Sequence, residues 1–255
     1  MDLFITIWLM IFGAIFGSFL GCMGYRIPNK IKTTYPSSFC SNCKKPLKWY
    51  MNIPIISYIV LGGKCAYCKD KIGFIYFLCE VLGSILFALN YVLFKFDLNF
   101  FISTILVCVL LVTLVSDFKY YYISDRVLVS SGILLILVSF VFLDKNEALL
   151  KILSGVIMFV VMLGIKIMGN RMFNKESLGD GDIKLMGIIG IALGLLNSFV
   201  SLFFASLTGL IYSLIILKKN KDGLIPFGPF LIIGALIVIY FSSYITPYLE
   251  ELFAL

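Results

Sequence analysis

Eight apolar runs constrain this chain more than any other feature of its sequence, at residues 3–25, 72–94, 100–116, 127–143, 148–168, 183–196, 198–217 and 225–248. A helix needs about 17 to 25 such residues to cross a hydrocarbon layer of roughly 30 Å. In that layer every backbone N–H and C=O must be bonded within the protein, and a helix achieves this inside one segment. The expected fold class is therefore an all-α polytopic membrane protein with about eight transmembrane helices. The sixth run is short for a full span and reads as a half-helix or a tilted partner of the seventh. With 61% hydrophobic and 14% charged residues and a mean hydropathy of +1.04, a soluble two-domain enzyme is excluded.

Charge placement gives the expected orientation. Loops 26–71, 117–126, 169–182 and 218–224, with the adjoining Lys166 and Lys184, hold eighteen of the twenty-one Lys and Arg residues. Only Lys95, Lys145 and Lys151 fall on the other side. By the positive-inside rule the basic loops are cytoplasmic and both termini lie outside. Basic clusters such as Lys218, Lys219 and Lys221 are also expected to hold anionic lipid headgroups. No basic residue precedes the first run, so it reads as a retained anchor. Gly13, Gly17 and Gly21 line one face of it and permit close helix packing.

The chain divides into a first transmembrane helix at 1–25, a cytoplasmic loop domain at 26–71 and a transmembrane region at 72–255. The loop domain contains Cys40-Ser-Asn-Cys43 and Cys65-Ala-Tyr-Cys68. A loop this short has too little core to hold a shape unaided, and four thiolates from two tight turns can surround a tetrahedral metal such as zinc. Disulfides are the alternative, disfavoured on a reducing cytoplasmic side. Cys22, Cys79 and Cys108 lie in spans and read as small apolar fillers.

The chain has no His, so Ser-His and Cys-His hydrolases cannot be built and carboxylates become the candidates for catalysis. Leu178-Gly179-Asp180-Gly181-Asp182-Ile183-Lys184 places two acids and two glycines where a polar loop meets the start of an apolar run. Glycines admit a close backbone approach, and the first turn of a helix favours a negative charge at Asp182. Asp117, at the end of the third run, is the second acid at the same membrane boundary, with Asp125 eight residues beyond. Two carboxylates brought together share a proton, so that one activates water while the other polarises a peptide carbonyl. Helix caps and ordinary helix ends are the bland alternative.

These residues resemble the type IV prepilin peptidases, bacterial members of the GxGD aspartic proteases. Besides Asp117 and Gly179-Asp180-Gly181-Asp182, the resemblance rests on Gly17-Ser18-Phe19 with Tyr25-Arg26-Ile27-Pro28, on Asn52 to Tyr58 between the two cysteine pairs, on Lys184-Leu185, and on Ile225-Pro226-Phe227-Gly228-Pro229-Phe230. It implies an enzyme of the bacterial inner membrane that removes the leader of prepilins or pseudopilins at the cytoplasmic face. It then methylates the new amino terminus with S-adenosyl-L-methionine. By motif match Asp117 and Asp182 are the catalytic pair, Asp125, Gly179, Asp180 and Gly181 support them, and Gly63, Lys64 and Glu80 are candidates for methyl transfer. Lys64 or a pilin amine is a candidate partner of Glu80. Ser124 stands where the family usually has Pro, and Met51 where it has an acid.

No nucleic-acid partner is implied. Two other classes compete, a GxGD intramembrane protease without methyl transfer and a non-enzymatic assembly factor that docks partners on its cysteine loop. Replacing either Asp by Asn separates them from the bifunctional enzyme.

Overall fold

The protein is described by a computed structural model covering residues 1–33, 35, 37–175, 177–216 and 225–245. The described residues are helical and contain no strand beyond two isolated bridges, Phe39 with Pro46 and Lys64 with Lys71. The helices are α1 (Asp2–Arg26), α2 (Ile56–Val60), α3 (Phe74–Phe94), α4 (Leu98–Tyr120), α5 (Asp125–Phe142), α6 (Lys145–Phe173), α7 (Asp180–Leu193), α8 (Leu195–Ile216) and α9 (Gly228–Tyr240), with a 3-10 turn at Trp49–Asn52.

Every expected run holds a helix, and among the described residues six helices are long and apolar enough to cross a membrane, α1, α3, α4, α5, α6 and α8, so the expected eight are not all seen as full spans. The physical reason is plain for α7. Its 14 residues rise only about 21 Å at 1.5 Å each, short of a roughly 30 Å layer, and its first turn is given over to Asp180 and Asp182. Helix α9 has 13 residues, and the end of the run it occupies, at 246–248, lies outside the described residues, as do Lys218, Lys219 and Lys221.

The chain forms two compact units, one of Met1–Lys95 with Leu111–Tyr122, the other of Phe96–Leu110 with Ile123–Leu255. In the first, α1 lies along α3. A side chain at Gly13 would overlap the Gly83 carbonyl, and one at Gly17 the Cys79 carbonyl, so the glycine stripe sets the approach of the two backbones. The opposite face of α1 exposes Phe4, Trp8, Phe12, Ile15 and Phe19, as a lipid-facing surface does. At its start Asp2 accepts from Lys95 at 2.9 Å and from Tyr91 at 3.1 Å. At its end the buried Arg26 donates to the carbonyls of Lys32, Thr33 and Ser37 at 3.2, 2.9 and 3.2 Å. That clamp fixes how the chain leaves α1 for the cysteine loop.

In the second unit α7 packs against α5, α6, α8 and α9, burying Leu185, Met186 and Ile189 beside Leu135, Met158, Leu231 and Ile232. Helix α6 grips α7 at both ends. Lys166 meets Asp180 at 2.6 Å, and Lys151 donates to the Ala192 carbonyl at 2.9 Å. A cation on the terminal carbonyls and an anion in the first turn both suit the helix dipole. The fold thereby fixes the axial position of the helix that carries Asp182.

Candidate active site

Asp117 sits in the last turn of α4, 6% exposed. The helix stops just beyond it, where Tyr121 takes a positive φ of 50° and donates its N–H to the Asp117 carbonyl at 2.9 Å. Within the first unit this turn lies at the cysteine-loop end, because a Cβ on Gly24 would fall 2.8 Å from the Val115 Cβ and 3.4 Å from the Ser116 nitrogen. Asp182 belongs to the second unit and occupies the first turn of α7, after Gly179 in extended conformation.

The two motif glycines have specific neighbours. A Cβ on Gly179 would lie 3.1 Å from Asp182 Oδ2, and a Cβ on Gly181 would lie 2.8 Å from the Ile123 Cβ. The sequence leads one to expect that both glycines leave room for a substrate backbone. Instead the space beside Gly181 is filled by Ile123, and the space beside Gly179 holds the Asp182 carboxylate. The glycines therefore act on the acid, one by making room for it and the other by letting the loop before α5 pack against its turn. Asp125, first in α5, pairs with Lys184 at 2.6 Å, which ties the same loop to α7 a second time. Asp180 is exposed, and the hydrogen bond and charge of Lys166 hold its carboxyl below the usual range.

The four cysteines of the loop converge, with their sulfur atoms all within 4.8 Å of one another. Cys40 and Cys68 are 3.8 Å apart, far too long for a disulfide, whose bond is about 2.05 Å. Four sulfurs at about 2.3 Å from one metal, in a tetrahedron, stand about 3.8 Å apart, so the set fits zinc. Each pair sits in the same turn. The backbone N–H of Lys44 donates to the Cys40 carbonyl at 2.9 Å and that of Lys69 to the Cys65 carbonyl at 3.0 Å, with φ of 58° and 59° at the two lysines. Backbone N–H groups of Cys68 and Tyr67 aim at the Cys65 sulfur and lower the pKa of its thiol, while burial and the neighbouring sulfurs push the Cys68 thiol up.

Glu80, in the second turn of α3, accepts the Ile55 N–H at 2.6 Å. Ile55 has φ 64° and ψ −53°, a costly conformation for a β-branched residue. Lys64 is exposed and forms no ion pair with Glu80, so that expected pairing is not seen. Gly63 has φ +67°, and any side chain there would press on the Tyr58 ring at 3.0 Å. Tyr58 in turn stacks on Phe77 with centroids 4.6 Å apart.

Ile123, Lys166 and Tyr58 are not apparent as site residues in the sequence. The only signal for Lys166 is its place at the end of an apolar run. Ile123 is an ordinary apolar residue whose partner Gly181 is far along the chain, and Tyr58 is an aromatic residue whose stack on Phe77 no local pattern marks.

Two family models match the chain. Residues 11–94 match the bacterial peptidase A24 N-terminal domain and residues 104–214 the type IV leader peptidase family. The chain is 30% identical to a prepilin leader peptidase/N-methyltransferase of Bacillus subtilis over 95% of its own length and 97% of the relative's. A Vibrio cholerae protein of the same description is 29% identical over 89% and 92%. A type 4 prepilin-like proteins leader peptide-processing enzyme of Escherichia coli is 27% identical over 91% and 92%. No solved structure matches the chain significantly.

Proposed function

The chain belongs to the type IV leader peptidase family, and from that premise we propose that it is a multi-pass membrane aspartic endopeptidase and N-methyltransferase whose proteolytic pair is Asp117 and Asp182. Its substrates are prepilins or pseudopilins. The ionised acid of the pair takes a proton from water, whose oxygen attacks the scissile carbonyl. The protonated acid donates to that carbonyl oxygen, and a proton then passes to the departing amine. The observation that carries this reading is the packing of Ile123 against Gly181. Ile123, six residues after Asp117 in the chain, fills the space beside Gly181 and so bounds the turn that carries Asp182.

Asp125, Gly179, Asp180 and Gly181 serve that turn by the contacts described above. The site faces the cytoplasm of a bacterial inner membrane with both termini outside, a reading supported by the basic loops. Cys40, Cys43, Cys65 and Cys68 hold one structural zinc, which stiffens a loop that has little core of its own. The loop domain at 26–71, with Gly63, Lys64 and Glu80, serves methyl transfer, for which S-adenosyl-L-methionine supplies the methyl group.

Mass spectrometry of a co-expressed prepilin tests the reading. The parent enzyme should give the mature chain plus 14 mass units, the mass of one added CH₂ group (~14 Da). Asp117→Asn and Asp182→Asn should each leave the leader in place. Leader removal by both variants would refute the assignment of the pair.

A further inference from the structure

A cavity of about 190 Å³ lies wholly within the first unit, walled by the end of α1, the cysteine loop and the start of α3. Tyr25, Tyr58, Tyr76 and Phe77 supply aromatic walls, and Glu80 lies on its membrane side. The Glu80 carboxylate has only neutral partners, the Ile55 N–H at 2.6 Å and the Ser18 hydroxyl. No Lys or Arg of the described residues pairs with it. Arg26 also lines the cavity, but its guanidinium donates to three loop carbonyls and lies 5.6 Å over the Phe39 ring. A carboxylate at membrane depth with no counter-cation of its own is costly, and such acids mark functional sites. Aromatic rings beside a carboxylate form the surroundings in which an organic cation is bound, through the ring faces and the charge together.

We propose that this cavity binds the cationic centre of the methyl-transfer reaction, the sulfonium of the methyl donor, with Glu80 as its counter-charge and Tyr58 as a ring wall. The assignment rests on the methyl-transfer reading above. Whole drug-sized ligands fill about 300–1,000 Å³, so the cavity is sized for the charged end of the donor rather than for all of it. Tyr58 is preset for this role by its stack on Phe77, and the strained Ile55 is held by the same carboxylate. The site is thus built before the ligand arrives. The ammonium of a newly cut amino terminus has the same charge chemistry, and the experiment separates the two sources.

Binding to the detergent-solubilised full chain is measured by calorimetry with three probes: S-adenosyl-L-methionine, its neutral thioether product S-adenosylhomocysteine, and a peptide carrying the mature pilin amino terminus. Glu80→Gln should weaken the sulfonium donor about tenfold or more and leave the neutral thioether unchanged. Because Glu80 also braces Ile55, Tyr58→Leu is read beside it and should weaken the donor while the Glu80 to Ile55 bond stays. A thermal unfolding midpoint and a single size-exclusion peak matching the parent's report an intact fold in each variant. Loss of peptide affinity with donor affinity kept identifies the ammonium as the occupant and overturns the sulfonium assignment. Equal loss of donor and neutral thioether, or unchanged donor binding in both variants, overturns the cavity as a cation site. A parent protein that cleaves prepilin but never methylates it overturns the methyl-transfer reading itself, which is a different outcome.

Discussion

Gly181→Ala is the sharpest test of how the Asp182 turn is built. The new methyl group would stand 2.8 Å from the Ile123 Cβ and 3.2 Å from its Cγ1 and Cδ1, whereas carbon pairs rest at about 3.5–4.0 Å. About 1 Å of overlap must be absorbed by the loop before α5 or by the first turn of α7, and overpacking of this kind costs about 1–3 kcal/mol. If the turn moves, Asp182 moves with it. A displacement near 1 Å can lower a rate about 100-fold, so cleavage by Gly181→Ala should fall between about 10-fold and 100-fold. A second change in Ile123 should restore activity in a graded way. Ile123→Ala removes the two outer contacts but keeps the 2.8 Å one, so it should recover activity only in part. Ile123→Gly removes all three and should recover most of it, less the ~0.5–1 kcal/mol that glycine loses in backbone entropy. The assay is single-turnover cleavage of a purified prepilin in detergent. Full activity in Gly181→Ala, or rescue by Ile123→Ala equal to that by Ile123→Gly, would refute the packing argument.

Exchanging the Asp125 and Lys184 charges should restore much of the cleavage lost in either single reversal, since each single reversal sets like charges 2.6 Å apart; failure of the double variant to recover would show that the pair does not act as a unit. Cobalt(II) titration should give thiolate-to-metal absorption saturating at one ion per chain, and Cys68→Ser should reduce it; saturation at two ions, or no change in the variant, would contradict a single four-sulfur site. Gly17→Leu should separate α1 from α3, because its Cβ already meets the Cys79 carbonyl and Glu80 Cα at 2.9 Å, lowering the thermal midpoint; an unchanged midpoint would mean that the stripe does not set the contact.

Much of the site is legible in the amino-acid sequence. Cysteine spacing in two Cys-x-x-Cys motifs marks a candidate four-sulfur site because ligand spacing is local, and the sulfurs do converge. Position in a short motif singles out Asp180 and Asp182 for the same reason. Partners are harder to foresee. Lys64 is the natural counter-charge for Glu80, yet the donor found is the Ile55 backbone N–H, a group every non-proline residue carries and no sequence pattern advertises. Gly181 suggests room for substrate, yet Ile123 fills it, and an isoleucine in a polar loop carries no mark of where it will pack.

Local chemistry is therefore settled by the order of residues: apolar runs that must be helical in lipid, a chain without histidine, and acids and thiols at fixed intervals. Tertiary structure alone decides that α6 holds α7 by Lys151 and Lys166, that Asp125 commits its charge to Lys184, and that aromatic residues from separate segments enclose a cavity over Glu80. The division has a physical cause. Helix formation and ligand spacing depend on neighbours within a few residues, whereas pairing and packing depend on which surfaces meet when distant segments fold together.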